Sequence, residues 1–287
     1  MKTSVNGWMV GGFGGEVPVA QAAKTAKELG YDAIELCFGA GELVPEASAS
    51  DLTKLRKEIE CIGIEIASLA TGNYWGKSLS SPDKAERAEA VAFTEAYINA
   101  ANCFGVDAIL VLAGSVDVAW DPARPVVPLK KACEMSQKSI RSLIPLAEKK
   151  GVVIALENVW SKFLTGPFEL AAFVDSFNSP QVMVYFDAGN CLINGYSEQW
   201  LEVLGKRIKR VHVKNFTRRD GGGTLADFTD SLLKGDVNWP AVFQGLKAIG
   251  YNGCLTAEVI VGEKGMPNVE QSGRVCVEMK QLIEQYG

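Results

Sequence analysis

Four side chains able to bind a cation or move a proton stand at or near the ends of apolar, β-branched runs. Glu157 ends Val152-Val153-Ile154-Ala155-Leu156, and Asp187 ends Met183-Val184-Tyr185-Phe186. His212 lies inside Arg210-Val211-His212-Val213-Lys214, and Glu258 follows Leu255-Thr256-Ala257. A carboxylate at the end of a buried run costs several kcal/mol unless it is paired or coordinated. Three carboxylates converging beside one imidazole repel one another, and a divalent cation removes that conflict. Three oxygen donors and one nitrogen donor suit Mn²⁺ first, with Mg²⁺ or Co²⁺ as alternatives, in an octahedron that leaves two positions for oxygens of a bound molecule. Zinc would want sulfur or further imidazoles. His212 is the single histidine of the chain, which excludes mechanisms that draw two imidazoles from one copy.

Short β-branched runs and helical patterns alternate along the whole sequence. Strands are predicted at 4–9, 33–37, 65–70, 108–111, 152–157, 183–187, 210–213 and 255–259. Helices are predicted at 19–29, 50–61, 82–103, 129–149, 167–177, 199–204, 239–248 and 269–285, from apolar residues recurring at three and four. Gly30, Gly63, Gly105, Gly151 and Gly250 each close a helix just before a strand, where glycine accepts the left-handed conformation. Ser50 or Asp51 is expected to cap the second helix, and prolines at 82 and 240 suit first-turn positions. The eightfold repeat predicts an α/β fold, a single (β/α)8 TIM barrel spanning 1–287 as one domain. A doubly wound open sheet is disfavoured, because Gly11-Gly12-Phe13-Gly14-Gly15 lacks the dinucleotide-binding spacing. In a barrel the four residues fall on strands five to eight, at the carboxyl end where active sites form.

The chain has 287 residues, 47% hydrophobic and 22% charged, with formal net charge −5 and its basic residues dispersed. That balance argues against nucleic acid as a partner. Apolar stretches are far below the roughly 20 residues of a membrane span, so no membrane association is expected. The start of the sequence does not resemble a secretory signal. Seven cysteines without a C-x-x-C pair read as free thiols in a reducing cytoplasm.

Leu156-Glu157-Asn158, Phe186-Asp187-Ala188-Gly189-Asn190, Val211-His212-Val213-Lys214-Asn215 and Gly250-Tyr251-Asn252-Gly253 leading to Ala257-Glu258 resemble the sugar isomerase/epimerase branch of the xylose-isomerase-like TIM barrels. The likeness begins at Gly30-Tyr31-Asp32-Ala33-Ile34-Glu35 and runs through Ser81-Pro82-Asp83 and Arg87 to the last strand. It implies one divalent metal held by Glu157, Asp187, His212 and Glu258. It also implies that Glu157 and Glu258 flank the substrate as an acid/base pair, inverting a carbon next to a carbonyl through a cis-enediolate. The implied activity is that of a ketose or ketose-phosphate 3-epimerase, with a small sugar or sugar phosphate as partner and a homodimer or homotetramer as the assembly. Isomerases and dehydratases of the same branch, such as those acting on inososes or hydroxypyruvate, share the first step. The multi-histidine nucleases of this fold are excluded by the lone His212.

Arg218 stands where ketose 3-epimerases carry an arginine on substrate oxygens, and Asn190, Lys214 and Glu35 join it as expected substrate contacts. Asn190 replaces a histidine of the free-ketose enzymes and Phe163 a second glutamate, which turns the resemblance toward sugar phosphates. Thr217-Arg218-Arg219 and Gly221-Gly222-Gly223 are the candidate phosphate cradles. Trp8, Phe38, Tyr74, Trp75, Trp120 and Trp160 fall in strand-to-helix loops and are expected to wall a sugar pocket, with Trp120 the most exposed.

Overall fold

Strands that read as continuous apolar runs must be covered on both faces, which a barrel sheathed in helices achieves. In the computed structural model, which describes residues 1–118, 120–261 and 266–287, eight parallel strands close a barrel in chain order. They are β1 (Lys2–Asn6), β2 (Ala33–Cys37), β3 (Glu65–Ala70), β4 (Ala108–Val111), β5 (Val153–Glu157), β6 (Val182–Asp187), β7 (Ile208–Val213) and β8 (Cys254–Ala257). The sheath comprises α1 (Gly7–Gly11), α2 (Val19–Glu28), α3 (Ala49–Ile62), α4 (Lys84–Phe104), α5 (Leu129–Lys150), α6 (Pro167–Asp175), α7 (Ser197–Leu204), α8 (Trp239–Ala248) and α9 (Val269–Tyr286). β1 pairs with both β2 and β8, which closes the wall. Every residue of β5 is buried. Large side chains such as Ile34, Leu69 and Phe186 are almost wholly inaccessible, each contributing about 1.5–3 kcal/mol of burial.

The five helix-closing glycines all have positive φ, from 66° at Gly151 to 90° at Gly30, as their position before a strand requires. Several boundaries differ from expectation, and three of the departures have a local cause in capping. The first strand is shorter than the predicted 4–9, because the Asn6 side chain accepts a hydrogen bond from the Trp8 amide and starts the turn α1. α3 is capped by Ser48, whose hydroxyl accepts from the Asp51 amide, rather than by Ser50 or Asp51. α4 starts at Lys84, because Asp83 accepts from the Ala85 and Glu86 amides and Pro82 precedes the cap.

Two strand registers position the site. Asp187 lies beside His212 across β6 and β7, and Asn6 lies beside Glu35 across β1 and β2. No helix among the described residues is long and apolar enough to cross a membrane. All seven cysteines are free.

Candidate metal centre and active site

Period-two alternation along β6 sends Tyr185 and Asp187 to the same face, one layer apart. The same alternation on β7 relates Arg210, His212 and, just beyond the strand, Lys214. Glu157 closes β5, and Glu258 follows the last residue of β8, one position after the strand ends. Glu157, Asp187, His212 and Glu258 are all buried, and one ligand atom from each falls within 4.8 Å of the others. Oxygen and nitrogen donors to a common ion sit about 2.0–2.6 Å from it, so their mutual separation cannot exceed roughly twice that. The cluster therefore fits a single metal site.

The imidazole supplies the most direct test of that fit. His212 Nε2 lies 2.7 Å from Glu35 Oε2, and a carboxylate can only accept, so Nε2 carries the proton. Nδ1 is buried without a hydrogen-bond partner. It faces Glu157 Oε1 at 3.7 Å, Asp187 Oδ2 at 3.9 Å and Glu258 Oε2 at 3.6 Å. A lone pair aimed at three carboxylates is the donor arrangement of a metal-binding histidine whose other nitrogen is tied to an acid. Without an ion, positive charge must come from elsewhere. Although burial opposes it, the charges of Glu35 and Glu258 hold the His212 pKa well above the ordinary imidazole value. Burial, reinforced by the Glu258 charge, pushes the Glu157 carboxyl up to about 7, and burial raises that of Asp187.

Lys214 supplies the second positive charge. Its Nζ lies 2.9 Å from Asp187 Oδ2 and 2.5 Å from Glu258 Oε2, with the Phe228 ring 5.2 Å beneath it. Asp187 Oδ1 accepts from the Asn190 amide at 2.8 Å, whereas Oδ2 accepts no well-directed hydrogen bond. Gly189 makes this packing possible: a Cβ there would stand 2.5 Å from Lys214 Cγ and 3.0 Å from its carbonyl oxygen. The glycine of Asp187-Ala188-Gly189-Asn190 is thus required by close approach, not by φ. Asn190 lines the cavity, donates to the Asn158 carbonyl at 2.9 Å and reaches Glu157 Oε1 at 3.4 Å.

Glu35 corrects an expectation. It is 0% exposed and lies beneath the centre, where it accepts from Asn6 Nδ2 at 2.7 Å, Ser68 Oγ at 2.7 Å, the Tyr185 hydroxyl and His212. It cannot touch a molecule in the cavity. Burial alone would raise its pKa, yet the His212 charge and these hydrogen bonds hold it below the usual carboxylate range. Arg218 also departs from expectation. Its guanidinium stacks 4.0 Å over the Tyr196 ring, its amide donates to Asp236, and it does not line the cavity. Nor do the proposed cradles: Arg219 pairs with Asp227, Gly222 packs on the Ile193 carbonyl and Gly223 on the Phe216 ring.

Trp8, Phe38, Trp75, Trp120 and Trp160 line a cavity of about 660 Å³ together with Glu157, Asn190, Lys214 and Glu258. Tyr74 is not among them, because it turns into the core and its hydroxyl bonds Thr94. Phe163 is likewise buried, edge-on to Phe173. Sequence reasoning missed Asn158, which brackets the Asp187 backbone with bonds of 2.8 and 2.9 Å, and the layer of Asn6, Ser68 and Tyr185. The available signal for Tyr185 was its place two residues before Asp187 on one strand face.

Fold and site together define a (β/α)8 barrel with a buried carboxylate–imidazole centre at the carboxyl ends of β5 to β8. The model of the xylose isomerase-like TIM barrel family matches residues 23–277, and the chain belongs to that family. Among solved structures it is similar to a D-psicose 3-epimerase crystallised in the presence of D-fructose, with TM-score 0.81 and 20% identity over 100% of this chain and 99% of that one. It is also similar to the Clostridium cellulolyticum H10 D-psicose 3-epimerase with D-tagatose, with TM-score 0.77 and 20% identity over 100% of this chain and 95% of that one. An L-ribulose 3-epimerase matches with TM-score 0.78 and 17% identity over 99% of this chain and 95% of that one.

Proposed function

We propose that this protein is a metal-dependent sugar epimerase that inverts the carbon next to a carbonyl, with Mn²⁺ the preferred ion over Mg²⁺ or Co²⁺. The observation that carries the reading is the unpartnered His212 Nδ1 facing Glu157, Asp187 and Glu258 at the floor of a cavity. These four side chains would hold the ion, which when bound acts as a Lewis acid on the carbonyl and its neighbouring hydroxyl. Glu157 and Glu258 come from β5 and β8, separated in the wall by β6 and β7, and so approach the cavity floor from different sides. One, as a carboxylate, removes the proton from the carbon beside the carbonyl; the other, as a carboxylic acid, delivers its own proton on the opposite face, and the configuration inverts. Lys214, between Asp187 and Glu258, presents its ammonium to oxygens of the sugar, and Asn190 steadies Glu157 through its 3.4 Å contact.

The test is deuterium incorporation at carbon in heavy water across a panel of keto sugars, with and without added Mn²⁺. Exchange that requires the metal, accompanied by the epimer, is the expected result. Unchanged exchange after thorough chelation overturns the metal's part. A rising near-ultraviolet absorbance would replace epimerisation by loss of water.

A second expectation concerns pH. Glu157, with its pKa pushed up by burial to about 7, and His212, held well above the ordinary imidazole value by the charges of Glu35 and Glu258, both hold protons in the metal-free protein at pH 6. Both must lose them to become ligands, so affinity rises with pH. Mn²⁺ binding measured calorimetrically is expected to tighten at least about tenfold from pH 6 to pH 7, with proton release detectable by changing the buffer's ionisation enthalpy. A pH-independent affinity would contradict the assignment of these two ligands.

A further inference from the structure

We infer that the substrate is an oxo-glycoside, a sugar whose ring carries the carbonyl while its anomeric oxygen carries a flat aromatic aglycone. This rests on the epimerase reading above and specifies what that site takes. The cavity, at about 660 Å³, lies in the range that encloses drug-sized ligands and far exceeds what a single pentose or hexose fills. Its polar groups concentrate at the floor, in Glu157, Asn190, Lys214 and Glu258. Above them the walls are aromatic. Trp75 and Trp120 meet edge-to-face with centroids 4.4 Å apart, and Trp8 and Phe13 form a second such pair at 5.3 Å. Trp120 and Phe13 remain 49% and 44% exposed, so the mouth of the cavity presents uncovered rings that a bound ring would bury.

The charge distribution argues against the phosphorylated substrate that the sequence suggested. Lys214 is the one lysine or arginine among the described lining residues, and its ammonium is held by Asp187 and Glu258. A phosphate in the outer cavity would meet chiefly indole and phenyl rings, with no lysine or arginine beside it among the described lining residues. A second sugar would bring several hydroxyls to walls whose side-chain hydrogen-bonding groups are few, the indole N–H groups of Trp8, Trp75 and Trp120 with Thr71, Asn73 and Thr229. Buried hydroxyls without partners are unfavourable, whereas an aromatic aglycone demands none. Chemistry fixes the carbonyl's place. A ketose glycosylated at its own carbonyl carbon is locked as a ketal and has no carbonyl to acidify the neighbouring proton. An aglycone-bearing substrate must therefore carry its carbonyl at another ring carbon, which Glu157 and Glu258 can address while the aglycone points to the mouth.

The experiment uses the Mn²⁺-loaded protein and deuterium incorporation in heavy water. The compounds are phenyl and methyl glucopyranosides oxidised to the ketone at C2, C3 or C4, with D-fructose and D-fructose 6-phosphate for comparison. At one carbonyl position the phenyl glycoside is expected to exceed the methyl glycoside by about 30-fold or more in kcat/KM, as burial of one aromatic ring implies. It is also expected to exceed both fructose compounds. In Trp120→Ala the phenyl-to-methyl ratio should fall about tenfold. Equal phenyl and methyl rates, or the best turnover on either fructose compound, overturn this inference and leave the epimerase reading standing. Exchange on no compound overturns the epimerase reading instead. Tryptophan fluorescence then decides the cavity's occupant: a Kd for the phenyl glycoside at least about tenfold below that for the methyl glycoside retains the aglycone site, and equal values remove it.

Discussion

Glu157→Gln and Glu258→Gln are each expected to lower epimer interconversion by about 10²- to 10⁴-fold, the usual contribution of a positioned acid or base. Glutamine keeps a carbonyl oxygen for coordination and removes the capacity to hold a proton, so the pair isolates proton transfer from metal binding. The two-carboxylate scheme makes a sharper claim than loss of rate. Each epimer presents its labile proton to only one of the two glutamates, and the variant that keeps that glutamate can still remove it. Glu157→Gln should therefore abolish solvent exchange from one epimer and largely spare it in the other, and Glu258→Gln should show the reverse pattern. The measurement is deuterium content of each pure epimer at low conversion. The same residual exchange from both epimers in both variants would mean that one group serves both faces. Interconversion within about tenfold of wild type in both would remove these residues from the chemistry.

The ends of the strands were legible in the sequence because two independent signals coincide there. A β-branched run marks a buried strand, and an acid at or just past its end is too unfavourable to be incidental. Glu157, Asp187 and Glu258 carry both signals, whereas the register that sets Asp187 beside His212 passes through a shift between Val184 and Tyr185 that the pattern of runs does not reveal. The interior layer was not legible. Whether Glu35, at the second strand, points under His212 or into the cavity depends on the stagger of β2 against β7, which are not adjacent in the wall. Period-two alternation gives a face and not a height. Arg218 failed for another reason. The loop between β7 and α8 is organised by Asp227, which takes Thr224 and Arg219, and by Asn215, which accepts from the Val237 amide at 3.0 Å and donates to the Leu232 carbonyl at 2.7 Å. That folding delivers Arg218 to the face of Tyr196. Turn chemistry of this kind is set by side-chain contacts across the loop and to Tyr196, and a position six residues after His212 carries no information about it.

Glu35→Gln and Glu35→Leu are expected to separate what this buried acid does for the centre from what it does for the barrel. As a carboxylate, Glu35 accepts from four donors at once and thereby fixes the His212 proton on Nε2. Glutamine retains the shape but replaces one oxygen by an NH₂, which faces either the Ser68 and Tyr185 hydroxyls or Asn6 Nδ2 and His212 Nε2. Where it faces Nε2–H, the imidazole proton moves to Nδ1, the atom directed at Glu157, Asp187 and Glu258. Mn²⁺ affinity should then fall about 10- to 100-fold, as for other outer partners of metal-binding histidines, while the thermal transition shifts little. Leucine instead leaves the Asn6 amide and His212 Nε2 without an acceptor in a site closed to water, and of the Ser68 and Tyr185 hydroxyls, 3.2 Å apart, only one can donate to the other. Removing one member of a buried charged network costs about 3–5 kcal/mol, so Glu35→Leu should unfold at much lower denaturant concentration. A purely structural role predicts a different outcome, in which Glu35→Gln binds Mn²⁺ as tightly as wild type. Wild-type affinity in Glu35→Gln would therefore show that Glu35 supports the barrel and does not set the imidazole. A weakened affinity with an intact transition would show that the tautomer of the single histidine is set from the layer beneath it.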